Sequence, residues 1–246
     1  MTQTHDIIRP ARHIVDSLKA IGSATIASEL SYMGIRNPAI TGPVPFTPGR
    51  VAAGPALTLQ FMPMREDMFG AAEYDDPERQ LHRHVLYPAQ KGDMVVVDAR
   101  GDMASGIFGE MMMTYFAGLG GEGIIIDGCI RDSGKAREIG LGIWIRGTTP
   151  NYHAQTAIFP FAVNVPVACG GVFVVPGDII VADDDGAVVV PIAYAERVIE
   201  AGSKHSDWEE FSRLRLSQGG DMRKYYPLRA DAEAEFQAWK KTGKQG

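Results

Sequence analysis

The sequence is poor in cysteine and in long apolar runs. Cys129 and Cys169 are its only cysteines, too few for a disulfide framework and not arranged as the Cys-x-x-Cys pair of thiolate zinc sites. No segment approaches the roughly 20 apolar residues that a membrane-spanning helix needs, and the start of the sequence lacks the apolar core of a signal peptide. We therefore expect a cytoplasmic protein that does not enter a membrane.

The sequence also has fewer basic than acidic residues. It contains 24 Lys and Arg and 30 Asp and Glu, which gives a net charge of −6. This balance argues against nucleic acid and against anionic membrane surfaces as partners. The composition, 45% hydrophobic and 22% charged, is that of a globular protein. The chain has no internal repeat and no low-complexity linker, and its 246 residues suit one large domain or two small ones.

The hydrophobic pattern between Met94 and Arg146 predicts strand, helix, strand, helix and strand in succession. Met94–Val97 and the run Ile124–Ile126 are typical of buried strands. Strands joined by helices are expected to be parallel with right-handed crossovers, and ligands bind beyond the carboxyl ends of such strands. Charged residues fall at or just after these ends: Asp98, Asp127, Arg131, Asp132 and Arg146.

The segment IIIDGCIRD, residues 124–132, ends its apolar run in charged residues. One interpretation is a turn with a solvated Arg-Asp pair, because Asp-Gly is common turn chemistry. The other is a ligand site, in which the Asp132 carboxylate binds Mg²⁺ beside several waters and the Arg131 guanidinium binds a carboxylate or enolate oxygen. The amides that open the next helix upstream, at Gly109–Met112, can bind an anion. Together these groups suit a small 2-oxo acid whose keto oxygen gains negative charge during reaction.

Five sequence blocks occur in the order and approximate spacing of one family: KGDMVVVD, GIFGEMMM, GGEGIIIDGCIRD, IWIRGTTP and GGVFVVPGDIIVADDDGAVVVP. With TIASEL and GRVAAGPALTL added, most of residues 20–215 resembles the RraA-like family. That family includes divalent-metal-dependent 4-hydroxy-4-methyl-2-oxoglutarate and 4-carboxy-4-hydroxy-2-oxoadipate aldolases, and also non-enzymatic regulators of ribonuclease E. The resemblance implies an α/β fold of the α-β-β-α sandwich type, with a central parallel βαβ portion and a C-terminal helical arm.

The resemblance also implies the organisation of the chain and its assembly. We expect one domain over residues 1–246, with an N-terminal helix extension at 1–20, a polar insertion at 62–89 and a C-terminal arm at 221–246. The family assembles as a trimer or a pair of trimers, so we expect a homo-oligomer with sites between subunits. A carboxylate from the C-terminal helix of the adjacent subunit is expected to complete each site. The candidates for this carboxylate are Glu209 and Glu210.

Carried over by position, the resemblance implies that Arg131 binds the pyruvate unit and stabilises its enolate. Asp132 is expected to ligate Mg²⁺ or Mn²⁺ directly, and Glu110 to reach the metal through water. The implied reaction is retro-aldol cleavage of a 4-hydroxy-2-oxo acid to pyruvate and an oxo product, with oxaloacetate decarboxylation as a side activity. The alternatives are a regulator of the ribonuclease E type, or another lyase or hydrolase that uses the same enolate site. The expected substrate-carboxylate site consists of the backbone amides of Gly109, Glu110, Met111 and Met112.

Two histidines in QLHRHVLYP, His82 and His84, suggest a metal pair at first sight. Structural or surface roles are favoured, because metal sites usually need further ligands and residues two apart on a helix point in different directions. We hypothesise that Arg65, His82 and His84 help to shape substrate choice, since their segment is longer and more polar than its counterpart in short family members. Cys129 is expected to pack in the core, and Lys135 to lie on a helix surface.

Overall fold

Helices occupy the two ends of the chain, and strands alternate with shorter helices in its middle. The computed structural model describes residues 6–67, 69, 76–153 and 157–243. The helices are α1 (Arg12–Ile21), α2 (Ser23–Tyr32), α3 (Leu81–His84), α4 (Glu110–Gly118), α5 (Ser133–Ala136), α6 (Ala195–Ser217), α7 (Met222–Tyr225) and α8 (Glu233–Lys241). The strands are β1 (Ala39–Ile40), β2 (Val44–Pro45), β3 (Ala52–Pro63), β4 (Met94–Gly106), β5 (Gly123–Ile130), β6 (Gly142–Thr148), β7 (Ile158–Val163), β8 (Val167–Cys169), β9 (Val172–Val174), β10 (Ile179–Asp183) and β11 (Gly186–Val190).

The centre of the sheet is parallel. β3 pairs with β4, β4 with β5, and β5 with β6, all in parallel. Antiparallel strands extend this centre on both sides, so that the order across the sheet is β1-β11-β10-β3-β4-β5-β6-β2, and β7 pairs with β3. β8 and β9 form a separate hairpin. The predicted α/β fold with central parallel strands and C-terminal helices is therefore confirmed.

Both faces of the parallel strands are covered, which explains why β5 is buried along its whole length. Side chains alternate between the two faces of a strand. Ile124 and Ile126 belong to a core that also contains Met113 and Phe116 of α4. Ile125 belongs to a second core, which includes residues of the β8–β9 hairpin. This alternation decides which charged residues of the strand ends share a side of the sheet.

Two further apolar clusters hold the terminal helices in place. α1 and α2 pack with β10, β11 and the start of α6. Phe211 of α6 packs with Phe236 and Trp239 of α8, so the C-terminal helices fold back on their own chain. No helix in the described part of the chain is long and apolar enough to cross a membrane.

One strand is longer than its sequence pattern predicts. The apolar run Met94–Val97 suggests a short strand, whereas β4 continues to Gly106. Arg100 and Gly101 adopt positive φ angles of 61° and 69°, so the chain bulges out of the sheet before it pairs with β5 again, up to Gly106. The bulge delivers the residues after β4 to the carboxyl end of β5, where the charged segment lies.

Candidate functional site

Gly109 lies where the start of α4 meets the end of β5. A Cβ atom at this position would lie 2.6 Å from Asp132 Oδ2 and 2.9 Å from Arg131 Nε. Such separations are shorter than van der Waals contact, so only glycine leaves room for both side chains. The first helical residue, Glu110, follows directly. The structure thus brings the predicted anion site and the predicted Arg-Asp pair into contact.

Asp132 has an unusual backbone conformation and a half-exposed side chain. Its φ and ψ are 57° and 37°, in the left-handed region that residues other than glycine seldom adopt. Such conformations concentrate at functional sites. Asp132 Oδ2 accepts a hydrogen bond of 3.2 Å from the Glu110 N–H and lies 3.6 Å from Arg131 Nε. The carboxylate is oriented from one side and keeps 47% of its side chain exposed, so it can take a further ligand.

Arg131 is anchored through its backbone, while its guanidinium stays accessible. The Arg131 N–H donates to the Phe108 carbonyl at 3.0 Å. The guanidinium carbon lies 5.9 Å from the centroid of the Tyr152 ring, and 42% of the side chain is exposed. Asp132 is the only carboxylate of the described residues within ion-pair distance of this side chain. Most of its donors therefore remain available to a bound anion.

The first turn of α4 supplies both a carboxylate and backbone amides. Glu110 Oε2 lies 3.9 Å from Nζ of Lys135, whose side chain is 73% exposed. The Glu110 amide, predicted to bind the substrate, donates to Asp132 instead. The N–H groups of a first helical turn have no partner within the helix, which leaves the amides of Met111 and Met112 for an anion. Both methionines line a cavity beside Gly109.

Two cavities meet at Arg131 and Asp132. The inner cavity has a volume of about 170 Å³, and the outer cavity, which is more open, about 540 Å³. The residues that line the inner cavity include His82, Arg83, Gly109, Arg131, Asp132 and His153. Those that line the outer cavity include Arg131, Asp132, Lys135, Thr148, Thr149 and Pro150.

Two histidines form part of the inner wall. His82 and His153 are 3% and 2% exposed, and their ring centroids lie 4.1 Å apart. Burial lowers the pKa of His153 to about 4 and the pKa of His82 well below its usual value, so both rings are neutral at neutral pH. Among the described residues, no three His, Cys, Asp or Glu side chains are placed to bind one metal ion. The positive charge of the inner cavity therefore comes from arginine.

Three of the charged residues at the strand ends do not join the site. Arg146 forms an ion pair with Asp127, and Asp127 Oδ2 also accepts from the Gly170 N–H at 3.2 Å. Asp98 is 6% exposed, and its burial raises its pKa. Asp127 shares the face of β5 that carries Ile125, under the β8–β9 hairpin, because side chains alternate along a strand. These residues stabilise the opposite side of the sheet.

The predicted polar insertion reaches the site through His82 alone among its three named residues. Arg65 Nη2 pairs with Asp67 Oδ2 at 2.8 Å, and both side chains are exposed. The ring of His84 contacts the Glu78 carbonyl at 2.7 Å, and neither Arg65 nor His84 lines the inner or the outer cavity. Residues 68 and 70–75 of the predicted insertion lie outside the described residues. The role of this segment in substrate choice stays a prediction.

The two C-terminal glutamates differ in their surroundings. Glu209 Oε1 lies 3.1 Å from His205 Nε2, and His205 Nδ1 lies 3.0 Å from Glu29 Oε1. Glu209 is thus engaged within its own chain, in a contact between α2 and α6. Glu210 lies on the exposed side of α6. The role of either residue in a neighbouring subunit stays a prediction.

Sequence reasoning missed several residues of the site. Arg83, Tyr152 and His153 line the inner cavity, and Thr148 and Thr149 line the outer one. A signal existed for Thr148, Thr149, Tyr152 and His153, since Thr148 ends β6 and the other three follow it, and the carboxyl end of β6 adjoins that of β5. Arg83 comes from a distant segment and had no comparable signal.

The fold and the site define an α/β protein with a polar cavity at the carboxyl ends of its parallel strands. The model of the RraA-like family, described as Aldolase/RraA, matches residues 15–189. The chain belongs to this family.

A named relative and a solved structure point to different roles. A Halalkalibacterium halodurans protein whose name proposes a 4-hydroxy-4-methyl-2-oxoglutarate aldolase is 39% identical over 132 residues, which are 54% of this chain and 62% of that protein. The match therefore spans less than two thirds of the relative. Streptomyces coelicolor RraAS2, described as an unusual member of the RNase ES inhibitor RraA family, is 46% identical with a TM-score of 0.77, covering 85% of this chain and 99% of that one.

A more distant structure supports the fold alone. A protein from Pseudomonas syringae pv. tomato has a TM-score of 0.78 at 22% identity, covering 93% of this chain and all of that one.

Proposed function

We propose that the protein is a divalent-metal-dependent aldolase that cleaves a 4-hydroxy-2-oxo acid to pyruvate and an oxo product. The observation that carries the proposal is the convergence at Gly109, where the start of α4, the Arg131 guanidinium and the Asp132 carboxylate meet. A guanidinium with paired N–H donors, a carboxylate that can ligate a metal ion and free helix amides are the groups that bind a small 2-oxo acid and stabilise its enolate. The name of the Halalkalibacterium halodurans relative agrees with this reaction.

The described residues fit a hard cation that keeps most of its water. Mg²⁺ is usually bound through one or two carboxylates, while waters and substrate oxygens fill its other positions. Among the described residues, Asp132 is the one carboxylate that lines both cavities, and its oxygens are the hard ligands that Mg²⁺ or Mn²⁺ prefers. We assign Asp132 as the direct ligand and Glu110 as a residue that acts through water. A metal bound there would supply positive charge next to the keto oxygen.

The chain's own residues account for the other steps. The backbone amides of Met111 and Met112 hold the carboxylate of the pyruvate half, and the Arg131 guanidinium binds its keto oxygen. The hydroxyl proton at C4 passes through a water to the Glu110 carboxylate that holds this water, and C4 becomes a carbonyl carbon. The electron pair of the C3–C4 bond moves into the pyruvate half as an enolate, whose negative oxygen is stabilised by the Arg131 guanidinium. The proton then returns from Glu110 through the same water to C3, which gives pyruvate and restores the carboxylate.

The activity is tested by measuring pyruvate release from 4-hydroxy-4-methyl-2-oxoglutarate and from oxaloacetate. Both reactions pass through the same pyruvate enolate, so we expect both with Mg²⁺ or Mn²⁺. Treatment with EDTA should abolish them, and added metal should restore them. If the protein releases no pyruvate from 4-hydroxy-4-methyl-2-oxoglutarate or from oxaloacetate at saturating metal, the proposal is wrong. Release of pyruvate without metal would contradict the proposed mechanism.

Gly109→Ala is expected to lower kcat/KM by about 10²-fold, the scale of a misplacement of roughly 1 Å at a reacting centre. The new methyl group would displace the Asp132 carboxylate and the Arg131 guanidinium, because its carbon would lie 2.6 Å from Asp132 Oδ2 and 2.9 Å from Arg131 Nε. These are side-chain atoms that can move, so we expect the free energy of unfolding to fall by only about 1 kcal/mol. Gly118→Ala is the matched control, because nothing lies within 4 Å of its Cβ position at the other end of α4.

A non-enzymatic regulator of ribonuclease is the second candidate. The observation that favours it is the likeness to Streptomyces coelicolor RraAS2, which extends over 85% of this chain. Affinity for the catalytic and scaffold regions of a ribonuclease of the E type, measured by calorimetry together with RNA cleavage, tests this role. Tight binding with inhibition, in a protein that releases no pyruvate, would favour the regulator over the aldolase.

A further inference from the structure

Arg83 occupies a distinct position in the inner cavity. It belongs to α3, the short helix whose residue His82 packs against His153, and its side chain lines the same cavity as Arg131. It also borders an adjoining apolar groove of about 330 Å³, which contains Met111 and Tyr115. Arg83 therefore borders both the cavity of Arg131 and Asp132, where the enolate is proposed to form, and the groove available to the rest of a substrate.

The guanidinium of Arg83 is oriented by a neutral partner. Its Nε donates to Gln80 Oε1 at 2.8 Å, and Gln80 is 4% exposed. No carboxylate among the described residues lies within 4 Å of this guanidinium. Arg83 thus has a fixed geometry and an uncompensated charge, which are the properties of an anion-binding arginine.

The electrostatics of the inner cavity favour a second anionic group. Arg83 and Arg131 contribute two positive charges, and Asp132 contributes one negative charge. The buried rings of His82 and His153 are neutral, since burial lowers the pKa of both. A pyruvate unit at Arg131 leaves the charge of Arg83 without a partner in this cavity.

We propose that Arg83 is the residue that binds a second carboxylate, on the part of the substrate that becomes the oxo product, and so distinguishes 2-oxo dicarboxylic acids from 2-oxo monocarboxylic acids. The inference rests on the proposed function, because it takes Arg131 as the residue that binds the pyruvate half. A guanidinium binds a carboxylate through two parallel hydrogen bonds. The selected substrates therefore carry one carboxylate at each end.

The test compares the binding of 2-oxoglutarate and 2-oxopentanoate by calorimetry in the presence of Mg²⁺. Both are five-carbon 2-oxo acids, and they differ only in a carboxylate or a methyl group at C5. Neither has the 4-hydroxyl that cleavage needs, so binding is measured without turnover. We expect the wild-type protein to prefer 2-oxoglutarate by roughly 10- to 100-fold, the range for hydrogen bonds to charged groups.

Arg83→Gln should bind the two acids with equal affinity and leave the affinity for 2-oxopentanoate unchanged. Arg79→Gln is the matched control, since Arg79 is exposed on the preceding turn and does not line the inner cavity. It should keep the full preference. If Arg83→Gln does not fold, Arg83→Lys serves as the test. Lysine retains the positive charge but lacks the paired N–H donors of the guanidinium, so the preference for 2-oxoglutarate should fall.

The proposal is overturned if the wild-type protein shows no preference, if Arg83→Gln retains it, or if Arg83→Lys matches the wild type. Pyruvate release is measured in parallel and answers a separate question. Failure to cleave any 4-hydroxy-2-oxo acid, with an Arg83-dependent preference intact, would count against the aldolase and not against carboxylate binding at Arg83. Cleavage without that preference would count against Arg83 alone.

Discussion

Asp132→Asn is expected to abolish metal-dependent pyruvate release while the protein stays folded. The substitution removes the negative charge of the one carboxylate that we assign as a direct metal ligand. Loss of a metal that stabilises charge in a transition state costs several kcal/mol, so we expect kcat/KM to fall by at least about 10³-fold. Titration with Mg²⁺ and Mn²⁺ should show no recovery at concentrations that saturate the wild-type protein.

Asparagine is the informative replacement because of the backbone at this position. Residue 132 has a φ of 57°, and asparagine is among the few residues that accept this conformation readily. Its side-chain oxygen can still accept from the Glu110 N–H, as Asp132 does at 3.2 Å. Alanine would lose both advantages and mix a folding effect with a chemical one.

The control for this experiment is Asp185→Asn. Asp185 is exposed in the turn between β10 and β11 and lines neither cavity. Its replacement should leave both activity and metal dependence unchanged. Substantial metal-dependent turnover by Asp132→Asn, with a normal melting curve, would remove Asp132 from the metal site and with it the proposed mechanism.

The meeting of Gly109 with Arg131 and Asp132 could be expected from the sequence. Apolar periodicity predicts the strands and helices of residues 94–146, and parallel pairing places their carboxyl ends at one edge. The resemblance to a family adds which residues of that edge act together. The local hydrophobic pattern and the parallel pairing of the strands agree in this segment. The sequence therefore predicts both the fold and the approach of Gly109 to Arg131 and Asp132.

The sorting of the other charged residues could not be expected in the same way. The run Ile124–Ile126 is apolar on both faces of β5, so the pattern does not reveal which face carries Asp127. The structure shows that Asp127 points away from α4 and pairs with Arg146. Burial of a strand on both sides thus removes the signal that would assign its last residue to one face.

Contacts between distant segments explain most of what else was missed. His82 and His153 lie 4.1 Å apart between ring centroids, although 71 positions separate them in the sequence. Neither the residue type nor the local periodicity of the sequence predicts such a contact. Arg83 reaches the cavity because this packing fixes α3, so its place depends on tertiary structure alone. Similarly, the left-handed conformation of Asp132 is set by its surroundings, since aspartate only tolerates it.

Arg131→Ala is expected to lower kcat by about 10²-fold or more, the scale for removing a main stabiliser of a developing oxyanion. The Arg131 guanidinium has no carboxylate other than Asp132 within ion-pair distance among the described residues, and their contact of 3.6 Å is long. Its role is therefore not mainly structural. The Arg131 N–H bond to the Phe108 carbonyl is independent of the side chain, so the variant should fold and melt like the wild type.

Three measurements distinguish charge stabilisation by Arg131 from a general disturbance of the site. Arg131→Lys should recover only part of the activity, because an ammonium group lacks the planar fork. Added methylguanidine should restore part of the kcat of Arg131→Ala and none of the loss in Asp132→Asn. Arg137→Ala is the matched control, since its guanidinium lies 4.2 Å from the centroid of the Phe46 ring and lines neither cavity. Wild-type kcat in Arg131→Ala would contradict the proposed role and show that the enolate is stabilised elsewhere.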